Sequence, residues 1–220
     1  MDKTCFVVAG TGLPEIISLI EDVCQEDPVH EFVGFIDDNP ENRTRDLYGY
    51  PFLGGFEYLN RYKGLKVVNS IARNAQIRRI STDRILSLGG NFINLIHPTV
   101  LRHQNSLGIG NIIDRSCILS RGVSIGSHNL FLSNVIVGHD CKLGDNNFFG
   151  HRVLLNGFVN VKDNCFIGAG SLVAPDISIH SNCVIGLGCV LLSDACPNSV
   201  YLPRPASIFK APVMGSLGKI

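Results

Sequence analysis

The chain has 220 residues, 45% of them apolar and 17% charged, so it can bury a sizeable core and is too apolar for a disordered chain. Lys and Arg together number 19, as do Asp and Glu, and a net charge of zero gives no electrostatic case for nucleic acid or an anionic membrane as a partner. No apolar run reaches the length of a membrane span, and the opening MDKTCFVVAGTG lacks a cleavage-site pattern, so a cytoplasmic protein without a signal peptide is expected.

In chain order, residues 4–9 read as a buried strand and Gly10-Thr11-Gly12 as a tight turn. Residues 14–24 read as a helix with Ile16, Ile17, Leu19, Ile20 and Val23 as its apolar side chains. A second strand over residues 32–36 runs into Asp37-Asp38-Asn39-Pro40, a strong turn signal. Residues 65–68 suggest a third strand and residues 73–88 a helix, and residues 93–96 lead onward. Strand, glycine turn, helix, strand, acidic turn is the order of a small Rossmann-like half. A lone Gly-x-Gly is weak evidence, since Glu15 stands where a dinucleotide fingerprint has its third glycine. A turn that binds nothing competes with a ligand site there, as a solvated turn does at Asp37 and Asp38. Both turns nevertheless follow predicted parallel strands at their carboxyl ends, where open α/β sheets bind ligands.

Beyond residue 90 the pattern changes. Every sixth residue from Leu101 to Leu191 is large and apolar, sixteen in succession, and Leu95 extends the series one step earlier. At this apolar content chance gives such a run roughly a few times in a million. A period of six is neither helical nor that of a plain strand. It fits a chain that turns a corner every six residues, with three sides closing a coil of eighteen and coils stacking as parallel strands. The series covers about residues 95–196, between five and six coils, with no insertion breaking the phase. Two residues before the aliphatic position the chain is mostly small or β-branched, and Cys117, Cys141, Cys165, Cys183 and Cys189 fall there. With no C-x-x-C pair among the eight cysteines, these five read as small interior hydrophobes rather than metal ligands or disulfides.

The period resembles the left-handed parallel β-helix of hexapeptide-repeat acyltransferases. The stretches VVAGTG, FVGFIDDNP, LYGYPFLGG, LIHP and VGHD together resemble bacterial sugar acetyltransferases of the UDP-amino-sugar N-acetyltransferase and sialic acid O-acetyltransferase type. The resemblance implies a Rossmann-like nucleotide-sugar-binding domain over residues 1–92, a left-handed β-helix acyltransferase domain over 93–196 and a C-terminal tail, 197–220, packing on the β-helix. It implies transfer of an acetyl group from acetyl-CoA to the amino group of a nucleotide-linked amino sugar in surface glycan biosynthesis. Active sites between subunits of a homotrimer, and no metal, are also implied.

Residue by residue, the resemblance makes His139 the base and Asp140 its orienting acid, after the in-phase Val137-Gly138. Histidine suits proton transfer at neutral pH and such a base contributes about 10²–10⁴-fold. Gly157, eighteen residues on, would offer a backbone N–H to the oxyanion. Ala169 and Leu187 would meet acetyl-CoA, and Phe148 stands where the family has a second histidine. Thr11, Gly12, Leu13, Asp37, Asp38 and Ala72 would hold the nucleotide sugar. The chain departs from the family turn by Leu13 and Pro14 in place of His and Gly, and Phe148 lacks any histidine chemistry. Near the C-terminus Pro203-Arg204-Pro205-Ala206 replaces a Gly-x-Pro-Ala turn, with Arg204 or Lys210 able to meet CoA phosphates.

His97 reads as structural at the domain junction, His151 as a corner residue or subunit contact, and His128 and His180 carry no motif. The nearest rival function is O-acetylation of a sialic acid-type hydroxyl, or transfer of another acyl group. A zinc hydratase of the same repeat class would need three convergent histidines, such as His128, His139 and His151. A non-enzymatic scaffold is the third reading, and the intact Gly138-His139-Asp140 corner argues against it.

Overall fold

The computed structural model describes residues 4–11, 15–44, 47–62, 64–72, 75–103 and 105–204. The first half is built on a parallel sheet of β1 (Thr4–Ala9), β2 (His30–Ile36), β3 (Phe52–Gly54), β4 (Lys66–Asn69) and β5 (Asn91–Phe92), in the order β3-β2-β1-β4-β5. Helix α1 (Glu15–Glu26) joins β1 to β2, α2 (Tyr58–Arg61) precedes β4, and α3 (Ala75–Ser87) joins β4 to β5. In β1 the side chains alternate between two cores. Phe6 and Val8 pack with Ile16, Leu19, Ile20 and Val23 of α1, while Val7 and Ala9 pack with Leu59 of α2 and Ile85 of α3. A parallel strand covered on both faces has no polar side, hence the continuous apolar run.

β3, α2 and β5 were not expected from sequence, being two to four residues long and too short for a periodic signal. α3 turns Arg78, Ser81 and Thr82 inward with Ile85 and leaves Ile80 exposed. Asn69 at the end of β4 explains this inversion, since its amide donates to Ser81 Oγ and Thr82 Oγ1, each at 2.9 Å.

From Leu95 the chain winds as a three-sided prism of two-residue strands. A first face runs from Leu95–Ile96 to Val200–Tyr201 in seven strands. A second runs from Leu101–Arg102 to Val190–Leu191 in six, and a third from Ser106–Leu107 to Ser178–Ile179 in five. All strands pair in parallel, and pairs such as Ile118 with Ile136 and Ser124 with Lys142 lie eighteen residues apart. Stacked parallel sheets with this repeat fit a left-handed β-helix. The inward residues from Ile113 to Leu191 form one buried column, in which Phe131 and Phe149 stack with centroids 4.5 Å apart. The five repeat cysteines fill the space beside them. Burial pushes the Cys117 and Cys165 thiols up to about 12 and Cys141 up to about 11, so they stay protonated fillers.

The expected phase fails at its start. Leu95 pairs with Ile112 and Leu101 with Ile118, seventeen residues apart, while Leu107 pairs with Ile125. The first coil is one residue short between Arg102 and Leu107. Because side chains alternate along a strand, a slip of one reverses them. Leu101 is 56% exposed instead of inward. Leu95 turns to the core under α1, and Ile96 takes the place inside the prism. At the far end the helix passes residue 196, because Val200–Tyr201 pairs with Val184–Ile185. Lys210 and the rest of the expected tail beyond Arg204 lie outside the described residues.

An asparagine ladder runs inside the corner that precedes the first face. The N–H of Asn111 donates to Asn94 Oδ1 at 2.8 Å, that of Asn129 to Asn111 Oδ1 at 2.9 Å, and that of Asn147 to Asn129 Oδ1 at 2.8 Å. The ladder ends where the Cys165 N–H donates to Asn147 Oδ1 at 2.8 Å. These side chains satisfy backbone donors that a two-residue strand leaves unpaired at its corner.

The two halves share a core in which Leu95, Ile112 and Leu130 of the first face meet Ile16 and Leu19 of α1. Arg78 pins them further. Its Nη1 donates to the carbonyls of Asn69 and Ile71 at 2.6 and 3.1 Å, and its Nε to the carbonyl of His128 at 2.9 Å. Burial lowers the Arg78 pKa to about 10, which leaves it charged at neutral pH. His97 is structural, as expected: its Nε2 lies 2.9 Å from Asp22 Oδ2, which also accepts from Arg115 Nη2 at 3.0 Å.

Candidate active site

The outward residues of the second face are Leu101, Ile118, Ile136, Leu154, Leu172 and Val190; those of the third are Ser106, Ser124, Lys142, Asn160 and Ser178. Gly138-His139-Asp140 forms the corner where the apolar face gives way to the polar one. The Gly138 N–H donates to Leu155 O at 2.8 Å and the Asp140 N–H to Arg121 O at 3.0 Å, which fixes the backbone. Asp140 takes a left-handed conformation, φ 58°, that short polar residues tolerate. His139 and Asp140 therefore project outward, their side chains 59% and 53% exposed. His139 Nδ1 lies 3.0 Å from Asp140 Oδ2. With the Nδ1 proton donated to that carboxylate, Nε2 carries the lone pair and faces away from it.

Gly157 sits one coil further along the same corner. A Cβ there would stand 2.7 Å from His139 Nε2, so a larger residue would displace the imidazole from this position. Its N–H makes no hydrogen bond among the described residues. The ring of Phe158 completes the surround, perpendicular to the imidazole at 86° with centroids 4.9 Å apart. Phe158 did not feature in the sequence reading. Its signal was available, three residues after the inward Leu155, at the corner position where Asn, Asp and Gly predominate.

The other expected site residues fall in three places. Ala169 and Leu187 occupy the corner between the first and second faces, at the opposite edge of the apolar face from His139. Phe148 lies on the first face, stacked on Phe166 with centroids 4.7 Å apart and packed toward α1. Within one chain, then, the structure unites His139, Asp140 and Gly157 but leaves Phe148, Ala169 and Leu187 apart from them. His128, His139 and His151 stand at three different corners of the prism, so they do not converge. No group of three or more His, Cys, Asp and Glu suited to a metal occurs among the described residues.

In the N-terminal half, Gly10 ends β1 with φ 94°, and a Cβ there would stand 2.5 Å from Ile71 Cγ1. That contact lays the turn after β1 against the turn after β4. Asp37 lies across from it and accepts from the Thr11 N–H at 3.3 Å, from the Asn39 N–H at 2.9 Å and from Asn42 Nδ2 at 2.7 Å. Asp38 accepts from the Phe56 N–H at 2.7 Å and pairs with Arg84 Nε at 2.6 Å, and Arg84 Nη2 reaches Glu57 Oε1 at 3.0 Å. Both acids thus shape loops at the carboxyl edge of the sheet, beside Thr11. Ala72 is half-buried just after β4. Gly12, Leu13 and Pro14 lie outside the described residues. A separate groove of about 690 Å³ runs between Gln76 and Arg79 of α3 and Phe166 and Val184 of the first face, and does not include His139.

Residues 158–193 match the family described as bacterial transferase hexapeptide (six repeats). No curated protein matches the sequence. PerB from Caulobacter crescentus, solved in complex with CoA and GDP-perosamine, is 25% identical, with a TM-score of 0.77 over 89% of this chain and 92% of that one. A mutant of the perosamine N-acetyltransferase of the same organism is 24% identical, with a TM-score of 0.80 over 94% of this chain and 97% of its own. The acetyltransferase domain of PglB from Neisseria gonorrhoeae is 20% identical, with a TM-score of 0.78 over 90% and 96% of the two chains. The chain shares the fold of these structures over nearly its whole length, with the hexapeptide repeats in its second half.

Proposed function

We propose that this chain is an acetyl-CoA-dependent N-acetyltransferase acting on the amino group of a nucleotide-linked amino sugar. The observation that carries the reading is the exposed His139–Asp140 pair facing Gly157 at the edge of an apolar face that no described residue covers, in a fold shared with PerB, which was solved with CoA and GDP-perosamine. The sugar amine attacks the thioester carbonyl while His139 Nε2 takes a proton from the amine nitrogen. The carbonyl oxygen gains negative charge, which the Gly157 N–H stabilises. Collapse of that intermediate breaks the C–S bond, CoA leaves as the thiol after receiving the proton, and the amide remains on the sugar. Asp140 holds the imidazole and stabilises its protonated form.

Residues 1–92 act as the Rossmann-like nucleotide-sugar domain. The strand order reverses between β1 and β4, and Thr11, Asp37, Asp38 and Ala72 lie at the carboxyl ends where such sheets bind ligands; Gly12 and Leu13 are proposed to hold the nucleotide sugar with them. Residues 93–196 act as the acyltransferase domain. The aliphatic second face supports a homotrimer: it is a contiguous apolar surface over which none of the described residues packs. Its two edges hold His139 with Gly157, and Ala169 with Leu187, so a neighbour's edge would complete each acetyl-CoA site. No helix among the described residues is long and apolar enough to cross a membrane, in keeping with work in the cytoplasm on a soluble substrate.

The test is thiol release from acetyl-CoA against a panel of nucleotide-linked amino sugars, with free sialic acid included. Turnover with an amino sugar is expected, and His139→Ala should lower it by about 10²–10⁴-fold. Turnover with sialic acid alone would replace the reading with O-acetylation. Loss of acetyl-CoA binding by the wild-type protein would end it.

A further inference from the structure

We infer that Phe158 is a positioning residue for the His139 imidazole, an inference that rests on the acetyltransferase reading above. His139 and Asp140 are both more than half exposed, and a solvated histidine–carboxylate pair holds its geometry weakly. Asp140 fixes the ring at Nδ1 and Gly157 only makes space, so neither restrains the imidazole from the side. Phe158 does. Its ring meets the imidazole at 86° with 4.9 Å between centroids, a favourable edge-to-face arrangement, and its own N–H donates to the His139 carbonyl at 2.9 Å.

The backbone makes the same point independently. Phe158 sits at φ 61°, the left-handed region. Elsewhere in the prism that corner position is held mostly by Asn, Asp and Gly, residues that accept it readily, and otherwise by Ser116, His128 and Arg152. Phe158 is the one apolar side chain at this position among the described corners, and within a single chain it remains 53% exposed, so the chain's own core does not account for it. The chain keeps a strained residue where an asparagine would fit, and the one described ring contact it gains is with His139. Strain concentrated beside a reacting group is what a positioning role requires, because a small displacement of a base costs far more in rate than in stability.

Phe158→Asn separates the two roles, since asparagine relaxes the backbone and removes the ring. We expect a melting temperature equal to or above that of the wild-type protein. We also expect kcat down about tenfold to a hundredfold with the KM for acetyl-CoA little changed. Nitrogen-15 NMR of His139 in the unliganded protein should show a smaller fraction of the tautomer protonated at Nδ1. Phe158→Tyr, which keeps the ring, should retain both turnover and tautomer. The NMR arm needs no acceptor, so it stands or falls apart from the proposed reaction. An unchanged tautomer in Phe158→Asn would overturn the inference, as would a fall in melting temperature that accounts for the lost turnover.

Discussion

Leu154 and Asn160 occupy equivalent outward positions in one coil, six residues apart, on the second and third faces. Behind them stand Leu155 and Val161, both buried. The interior of the prism therefore does not distinguish the two faces, and only the outward residues do. Up the third face these are Ser, Ser, Lys, Asn and Ser, a surface finished for water. Up the second they are six aliphatic residues in succession. The first face, also apolar outward, has Leu95, Ile112 and Leu130 covered by the core under α1. Stacking a parallel β-helix demands nothing of the outward positions, so their chemistry is left for what lies outside the coil. His139 stands at the border of the water face and the uncovered face, where a second subunit and a solvated acceptor can both reach it.

Charging the two faces should affect them most differently. Leu154→Glu with Leu172→Glu should dissociate the oligomer and lower turnover by about a hundredfold or more, since a buried unpaired carboxylate is costly and each site would lose its neighbour. Asn160→Glu with Ser178→Glu should leave both unchanged. Sedimentation and thiol release read the two outcomes, and equal behaviour of the pairs would remove the distinction between the faces.

Interior changes should ignore it. Phe131→Ala, inside the stacked ring column, is expected to cost about 3–5 kcal/mol in urea unfolding. Asn129→Ala should cost about 1–3 kcal/mol by leaving the Asn147 N–H without its acceptor.

The last effect is absent at neutral pH and appears only under alkaline conditions. Cys117 and Cys165 rise from an ordinary 9.0 to about 12 in the folded chain, so the unfolded state loses these protons first. Their contribution is intact below pH 9 and declines from there to about pH 12, by up to about 1.4 kcal/mol per pH unit for each thiol. Cys117→Val with Cys165→Val should flatten the fall in urea midpoint across that window. Valine already serves at the equivalent positions Val123 and Val135.

Most of the prism was legible because the six-residue period is long, uninterrupted from Leu107, and imposed by one repeated geometry. The slip at Leu101 was not, since a leucine satisfies the pattern whichever way it points. The His139–Asp140–Gly157 corner was legible through register: residues eighteen apart share a corner. The asparagine ladder has the same register at Asn111, Asn129 and Asn147, yet reading only for apolar residues passed over it. Arg78 was hidden more deeply, because an arginine on a helix of low apolar content reads as solvated. Its burial depends on carbonyls from Ile71 and His128, which no local pattern brings together. Phe158 was overlooked for a related reason: apolar at a corner, it belongs to no part of the repeat.

The short first coil has a consequence for how the molecule comes apart. A solenoid's stability is close to a sum over neighbouring repeats, so its terminal coils are the first to fray. At the lower end Leu95 and Ile96 are consecutive residues committed to two different cores, one under α1 and one inside the prism. Neither core can loosen there without the other. Fraying is thereby directed to the opposite end, where among the described residues Val200–Tyr201 caps one face alone, and amide exchange should slow coil by coil from there down to the junction.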